Sequence, residues 1–351
     1  MFEEFKNNQE LYTSLSKNLV IDTDLVKKST PSSIADDLAK LLVDKELQIF
    51  YPSDEDFENN TNAVNQYYVS YDPLNGSKTN ESFQFKSNSE RYIIKENINN
   101  DFIDDNPVFI IAPIDDCDLP GRPCDWDDGD PISDLPPYTG SPKLLTYNVN
   151  HNLVPENDII SARIPAIRVN GTRWMRFGGT HLKLSFLRGS PDGTIIREKG
   201  ILVAGAKAFP VKKIRIKRKY LKRKLRWVTF DAEFDPDWNM SENTQVMAVF
   251  SRHHWLGSGE TTVSVKSGLK IDAQGNVKPT TEVTTSTKVT LREDNAKYRT
   301  KSEMSRRFIL STIVGNGITG KTKSDNGVSY NMKRVDIVDY YMKFWHTDLT
   351  P

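Results

Sequence analysis

Residues 225–234 read LRWVTFDAEF, and their alternation decides the fold. Val228, Phe230, Ala232 and Phe234 fall on one face, with Thr229, Asp231 and Glu233 on the other. That is the period of two expected of a strand with one face buried. Working outward, residues 144–148, 159–169, 180–187 and 200–206 are likewise short, β-branched or aromatic, and bounded by Gly, Pro or Asn. Residues 245–250, 261–271, 277–291, 307–314 and 328–340 continue the series. So many short strands, with no strand–helix alternation, predict a mainly β protein: an antiparallel β-sandwich over 144–351.

The N-terminal part reads differently. Residues 1–50 carry apolar residues near helical spacing (Ala35, Leu38, Leu41, Leu42, Leu47), with Ser32 or Ser33 as a cap, and predict a helical segment. Residues 51–143 are rich in Asn, Asp and Pro and predict an irregular acidic region with short strands near residues 67–71, 92–94 and 108–111.

Hydrophobic residues make up 37% of the 351-residue chain and charged residues 27%. This composition excludes collagen, coiled coil and wholesale disorder, and no apolar run is long enough for a transmembrane helix. Lys+Arg and Asp+Glu are both 47, but the balance hides a separation. Residues 1–140 hold 28 acids and 11 bases, the remainder 19 acids and 36 bases. Opposite signs predict either two functional surfaces or a front half that packs on the back half.

The acids concentrate in DDCDLPGRPCDWDDGD, residues 115–130. Asp115, Asp116, Asp118, Asp125, Asp127, Asp128 and Asp130 supply the hard oxygen ligands that a calcium ion takes from an irregular loop. Cys117 and Cys124 lie within it, placed for a small disulfide loop or for two free thiols. Asp235 and Asp237, at the end of the 225–234 strand, would join the same ion if the two groups met at one end of the sandwich. The alternative is a solvated acidic loop facing the basic half.

The bases concentrate in VKKIRIKRKYLKRKLR, residues 211–226. Lys212, Lys213, Arg215, Lys217, Arg218, Lys219, Lys222, Arg223 and Lys224 read as a basic hairpin that meets an anionic surface, glycan or protein partner. No zinc-finger, RRM or KH pattern supports sequence-specific nucleic-acid recognition.

Residues 258–291 alternate Thr or Ser with β-branched residues around a DAQGN turn. Such an amphipathic hairpin resembles the insertion hairpins of β-pore-forming toxins, which implies a membrane-active alternative; Lys266 and Pro279 depart from that pattern.

Residues 315–322, GNGITGKT, match the phosphate-binding P-loop string, but the Asn326-Gly327 pair that follows predicts a hairpin instead of the required helix. No H-E-x-x-H, G-x-S-x-G or C-x-x-C is present, so an enzyme is the lesser expectation, a metal hydrolase at the Asp loops ranking last. The opening MFEEFKNNQE has neither a basic nor an apolar leader region. The expectation is a cytoplasmic chain, or a secreted or cell-surface one whose leader was removed. The functional expectation is a non-enzymatic binding or structural protein.

Overall fold

A computed structural model describes residues 40, 42, 44, 47–50, 66–72, 77–86, 92–113, 127–128, 142–154, 158–198, 201–221, 225–252, 257–271, 277–280, 282, 285–315 and 320–348. The chain is mainly β and divides into two units, 1–125 with 175–181, and 126–174 with 182–351.

The first unit is built on β1 (Leu47–Phe50), β2 (Gln66–Tyr71), β3 (Thr79–Lys86), β4 (Tyr92–Asn99) and β5 (Val108–Pro113). They form one sheet in the order β1-β5-β2-β3-β4, parallel only between β2 and β5. Helix α1 (Asn100–Asp105) sits between β4 and β5, capped where Asn99 Oδ1 accepts from the Phe102 amide at 2.9 Å. One face of the sheet buries Val69, Phe83, Phe109 and Ile111. The other buries Ile98, Val108, Ile110 and Ala112, with Phe177 from the 175–181 insert. Gly178 is required there: its φ is +63°, and a Cβ would meet Ile110 Cγ1 at 2.7 Å.

The strands expected near residues 67–71, 92–94 and 108–111 are present as β2, β4 and β5; with β3 and β1 they make one five-stranded sheet, and its core is completed by residues about 65 positions further along the chain. Lys40, Leu42 and Asp44 are helical as expected, but Leu47 is the first residue of β1, paired with Pro113. Sheet pairing overrides the helical spacing at that point.

The second unit holds β6 (Asp127–Asp128), β7 (Lys143–Leu144), β8 (Ile159–Val169), β9 (His181–Glu198), β10 (Ile201–Lys217), β11 (Val228–Asp235) and β12 (Thr244–Arg252). It continues with β13 (Gly259–Ser267), β14 (Leu269–Ile271), β15 (Val277–Pro279), β16 (Thr285–Glu293) and β17 (Ala296–Ser305). Helix α2 (Arg306–Leu310) precedes β18 (Thr322–Asp325), β19 (Val328–Asn331), β20 (Lys333–Val335), β21 (Val338–Tyr340) and β22 (Lys343–Thr347).

One sheet runs β16-β13-β12-β9-β10-β6, with β17 also on β12; the other runs β20-β21-β8-β22-β7, with β11 also on β8. The alternation of β11 holds: Val228, Phe230, Ala232 and Phe234 are all buried. Their face meets the first sheet, where the Phe186 and Phe230 rings lie 4.7 Å apart, edge to face. Strand β12 is buried on both sides. Gln245 reaches toward the β11 sheet. Val246, Ala248 and Phe250 instead pack with Leu187 against Val263, Val265, Val289 and Leu291 of the β13–β16 ribbon. Two cores flank one strand, so β12 reads as a continuous apolar run instead of an alternating one.

Two further expectations are revised. Residues 307–314 do not form a strand. Residues 306–310 make one helical turn that buries Arg306, Ile309 and Leu310. The P-loop string leads into strand β18, which pairs with β19 through Asn326 (φ 48°) and Gly327 (φ 78°). Both positive φ values define the hairpin turn that Asn-Gly favours. Without a helix after Thr322, the string lacks the amide-lined terminus that would hold phosphates.

Candidate functional site

The basic run begins on β10. Ile214 and Ile216 are 0% and 1% exposed, so alternation turns Lys213, Arg215 and Lys217 to the opposite face, where Lys213 Nζ lies 3.4 Å from Glu293 Oε1. Lys217 is exposed, while Lys212, Lys213, Arg215 and Lys219 are half-buried. The run is not a hairpin. Strand β10 ends at Lys217, a 3-10 turn covers Arg218–Tyr220, and β11 belongs to the other sheet. The run is therefore a corner between sheets, anchored by the buried Tyr220 and Leu221. Arg218, expected on the binding surface, is only 4% exposed. Lys219 Nζ lies 5.4 Å from the centre of the Tyr220 ring and the Arg226 guanidinium 6.0 Å, so the corner stacks two cations around one aromatic. Lys222, Arg223 and Lys224 lie outside the described residues.

Part of the acidic segment reaches this strand. Asp127 and Asp128 pair in parallel with Ile214 and Arg215 as β6. Asp115, Asp116, Asp118, Asp125, Asp130, Cys117 and Cys124 lie outside the described residues, and with them most of the expected calcium loop and the expected disulfide.

Asp235 has a different employment. Its carboxylate is 5% exposed and pairs with Arg188 Nη1 of β9 at 2.5 Å. The Gln245 amide donates to the same Oδ2, and the Asp237 amide donates to Oδ1 at 3.1 Å. Gln245 Nε2 also donates to Glu242 Oε2 at 2.7 Å, so one amide bridges two carboxylates. Asp235 thus belongs to an interior network between the sheets, held by its ion pair with Arg188 and by hydrogen bonds from Gln245 and the Asp237 amide. Asp237 lies at the exposed rim, where desolvation and then the Asp235 charge raise its pKa. Among the described residues no group of three or more His, Cys, Asp or Glu is arranged to hold a metal ion.

The network continues to α2. Arg306 donates from Nε to the Trp238 carbonyl at 2.8 Å and from Nη1 to His151 Nδ1 at 2.6 Å. Burial, then Arg306 and Arg307, lower His151 to about 4, so the ring is a neutral acceptor at pH 7. Burial, then the Asp235 charge, push Glu242 up to about 8. A carboxyl whose folded pKa lies above its unfolded value holds its proton longer in the fold. Its contribution is full at low pH and is lost as pH rises through about 8. Glu242→Gln is therefore expected to raise the melting temperature at pH 9 and leave it nearly unchanged at pH 5, measured by thermal melts across that range.

The Thr/Ser ribbon forms the expected hairpin, with β13 and β16 paired over nine positions from Gly259↔Glu293 to Ser267↔Thr285. Its apolar side is the core described above. Its outer side presents Thr262, Ser264, Ser286, Lys288, Thr290 and Arg292, all exposed. Thr262 and Thr290 hydroxyls meet at 3.3 Å, Ser264 and Ser286 at 2.6 Å.

Trp174, Trp238 and Trp345 are buried, and Trp227 is half-buried. His346 Nε2 sits 2.6 Å from Asp158 Oδ2; His253 and His254 lie outside the described residues. Arg188, Glu242, Gln245 and Arg306 escaped sequence reading because three separate segments supply them. The one available signal was a charged residue, Arg188, inside the apolar run of β9.

Comparison of the chain with protein-family models, curated proteins and solved structures finds no match.

Proposed function

We propose that the chain is a non-enzymatic binding protein that presents the outer face of β10 and its following turn to an anionic partner. One observation carries this reading: the alternation that buries Ile214 and Ile216 turns Lys213, Arg215 and Lys217 to one face, with Lys217 exposed, and Lys219 continues past the strand end. Anionic chains bind such a row largely by counterion release, so affinity falls with salt. Two of the most buried ionisable side chains, Asp235 and His151, are bonded to Arg188 and Arg306, which suits a structural role better than a catalytic one.

Retention on immobilised heparin tests this. The protein is expected to elute at a raised and salt-dependent position, and Lys217→Glu with Lys219→Glu to elute substantially earlier. Each lysine that no longer neutralises an anionic group should reduce the slope of log affinity against log salt by about 0.7–0.9. Elution that ignores salt overturns the reading.

A second reading is favoured by the pairing of Asp127–Asp128 with Ile214–Arg215: the basic strand serves the chain's own acidic segment. Asp127→Asn with Asp128→Asn separates the two on the same column. Later elution means that the segment competes for the strand; unchanged elution leaves the strand to an external partner.

A further inference from the structure

We propose that the contact between His151 and Arg306 is an acid-sensitive latch: a proton taken up by His151 releases helix α2 from the 3-10 turn His151–Leu153.

The proposal stands on a geometric conflict. An arginine side chain has only donors, so Arg306 Nη1, 2.6 Å from His151 Nδ1, fixes that nitrogen as the acceptor and leaves the ring's proton on Nε2. A second proton has no place on Nδ1 while the guanidinium stays there, and it sets two cations against each other. Neither group reaches water in the closed form, since His151 is 2% exposed and Arg306 1%. Arg306 is also held elsewhere: its Nε donates to the Trp238 carbonyl at 2.8 Å and its amide to the Asn243 carbonyl at 2.9 Å.

The surrounding charges act in the same direction. From α2, Arg306 and Arg307 both oppose a charged His151. Asp235, Asp237 and Glu242 are felt by Arg306, and Asp235 is itself paired with Arg188 of β9. Among the described residues none of these acids bonds to the His151 ring. His346 makes the contrast: it meets the Asp158 carboxylate at 2.6 Å, a partner that suits a charged ring.

Two more bonds tie the segments that carry the latch. The Val149 amide donates to the Leu310 carbonyl at 2.8 Å, and the Val314 amide to Asn148 Oδ1 at 2.9 Å. Val154, Ile309 and Leu310 on these segments are buried, whereas Leu153 is 78% exposed and Phe308 39%. Opening therefore adds buried apolar side chains to apolar ones already at the surface.

Burial, then Arg306 and Arg307, lower the closed ring from the usual 6.5 to about 4. The closed form thus binds the proton less well than the open one. Its stability is full above about 6.5 and falls as pH drops toward 4. The ratio of closed to open latch is expected to fall about 20-fold between pH 7 and pH 5. Glu242 holds its proton up to about 8 and so changes charge little over this range.

Amide hydrogen exchange of the full chain, corrected for its intrinsic pH dependence, tests the latch at the Val149 and Val314 amides, with the β12 amides as reference. Their protection is expected to fall about 20-fold more than that of β12 between pH 7 and pH 5. His151→Gln keeps an acceptor for Arg306 and removes the titration, so protection at pH 7 should remain and the acid loss disappear. Ring titration of His151 in the wild-type chain by NMR needs no variant, and its midpoint is expected below 5. A midpoint near 6.5, protection that stays flat from pH 7 to pH 5, or the same acid loss in His151→Gln overturns the proposal.

Discussion

Arg188→Ala is expected to lower the unfolding free energy by about 3–5 kcal/mol, because it strands the Asp235 carboxylate in the interior. The Arg188 and Asp235 side chains are 8% and 5% exposed, and the guanidinium also lies 4.7 Å from the Phe209 ring centre and 5.6 Å from that of Phe234. Removing the cation leaves an acid that must protonate or open the sheets to water. Asp235→Leu added to Arg188→Met is expected to recover much of the loss, since an apolar pair of similar volume carries no desolvation cost. Chemical denaturation of the three proteins checks this, and a double variant no better than Arg188→Ala would show that the network does more than balance charge. The loss in Arg188→Ala should be equal in EDTA and in millimolar calcium. A calcium-dependent loss would return Asp235 to the role of ligand.

Phe250→Ala is expected to cost about 3–5 kcal/mol as well, for a different reason. Phe250 is 0% exposed, and its ring stands 5.7 Å from that of Tyr298. It fills the space between β12 and the ribbon, so its loss leaves a cavity bounded by two sheet layers. The same packing bears on the membrane-active alternative. The ribbon's apolar side chains already face Leu187, Ala248 and Phe250, and insertion into a bilayer would first have to undo that core. Dye release from anionic liposomes is therefore expected to be absent for the wild-type chain and to rise only in the Phe250→Ala variant.

Much of the β architecture was legible because its cause is local. The alternation of residues 228–234, the Asn326-Gly327 turn, and the apolar and hydroxylated sides of each ribbon strand follow from period and turn chemistry within a dozen residues. The sheet of the first unit was harder to see. Its strands carry Asn, Ser and Gln between apolar positions, and Phe177 and Gly178 complete its core from the far side of β8. The basic run showed its composition in the sequence but not its shape, since a corner between two sheets and a hairpin share the same pattern of charges.

By itself, the sequence determined the β class, the segregation of charge and the two sides of the ribbon, because side-chain alternation is a property of the chain. Only the tertiary structure decided that β12 lies between two cores, that Asp235 is bonded to Arg188 and Gln245, and that the ribbon runs beside the basic strand. Those facts depend on which distant strands pair, and pairing is settled by the burial of whole faces at once.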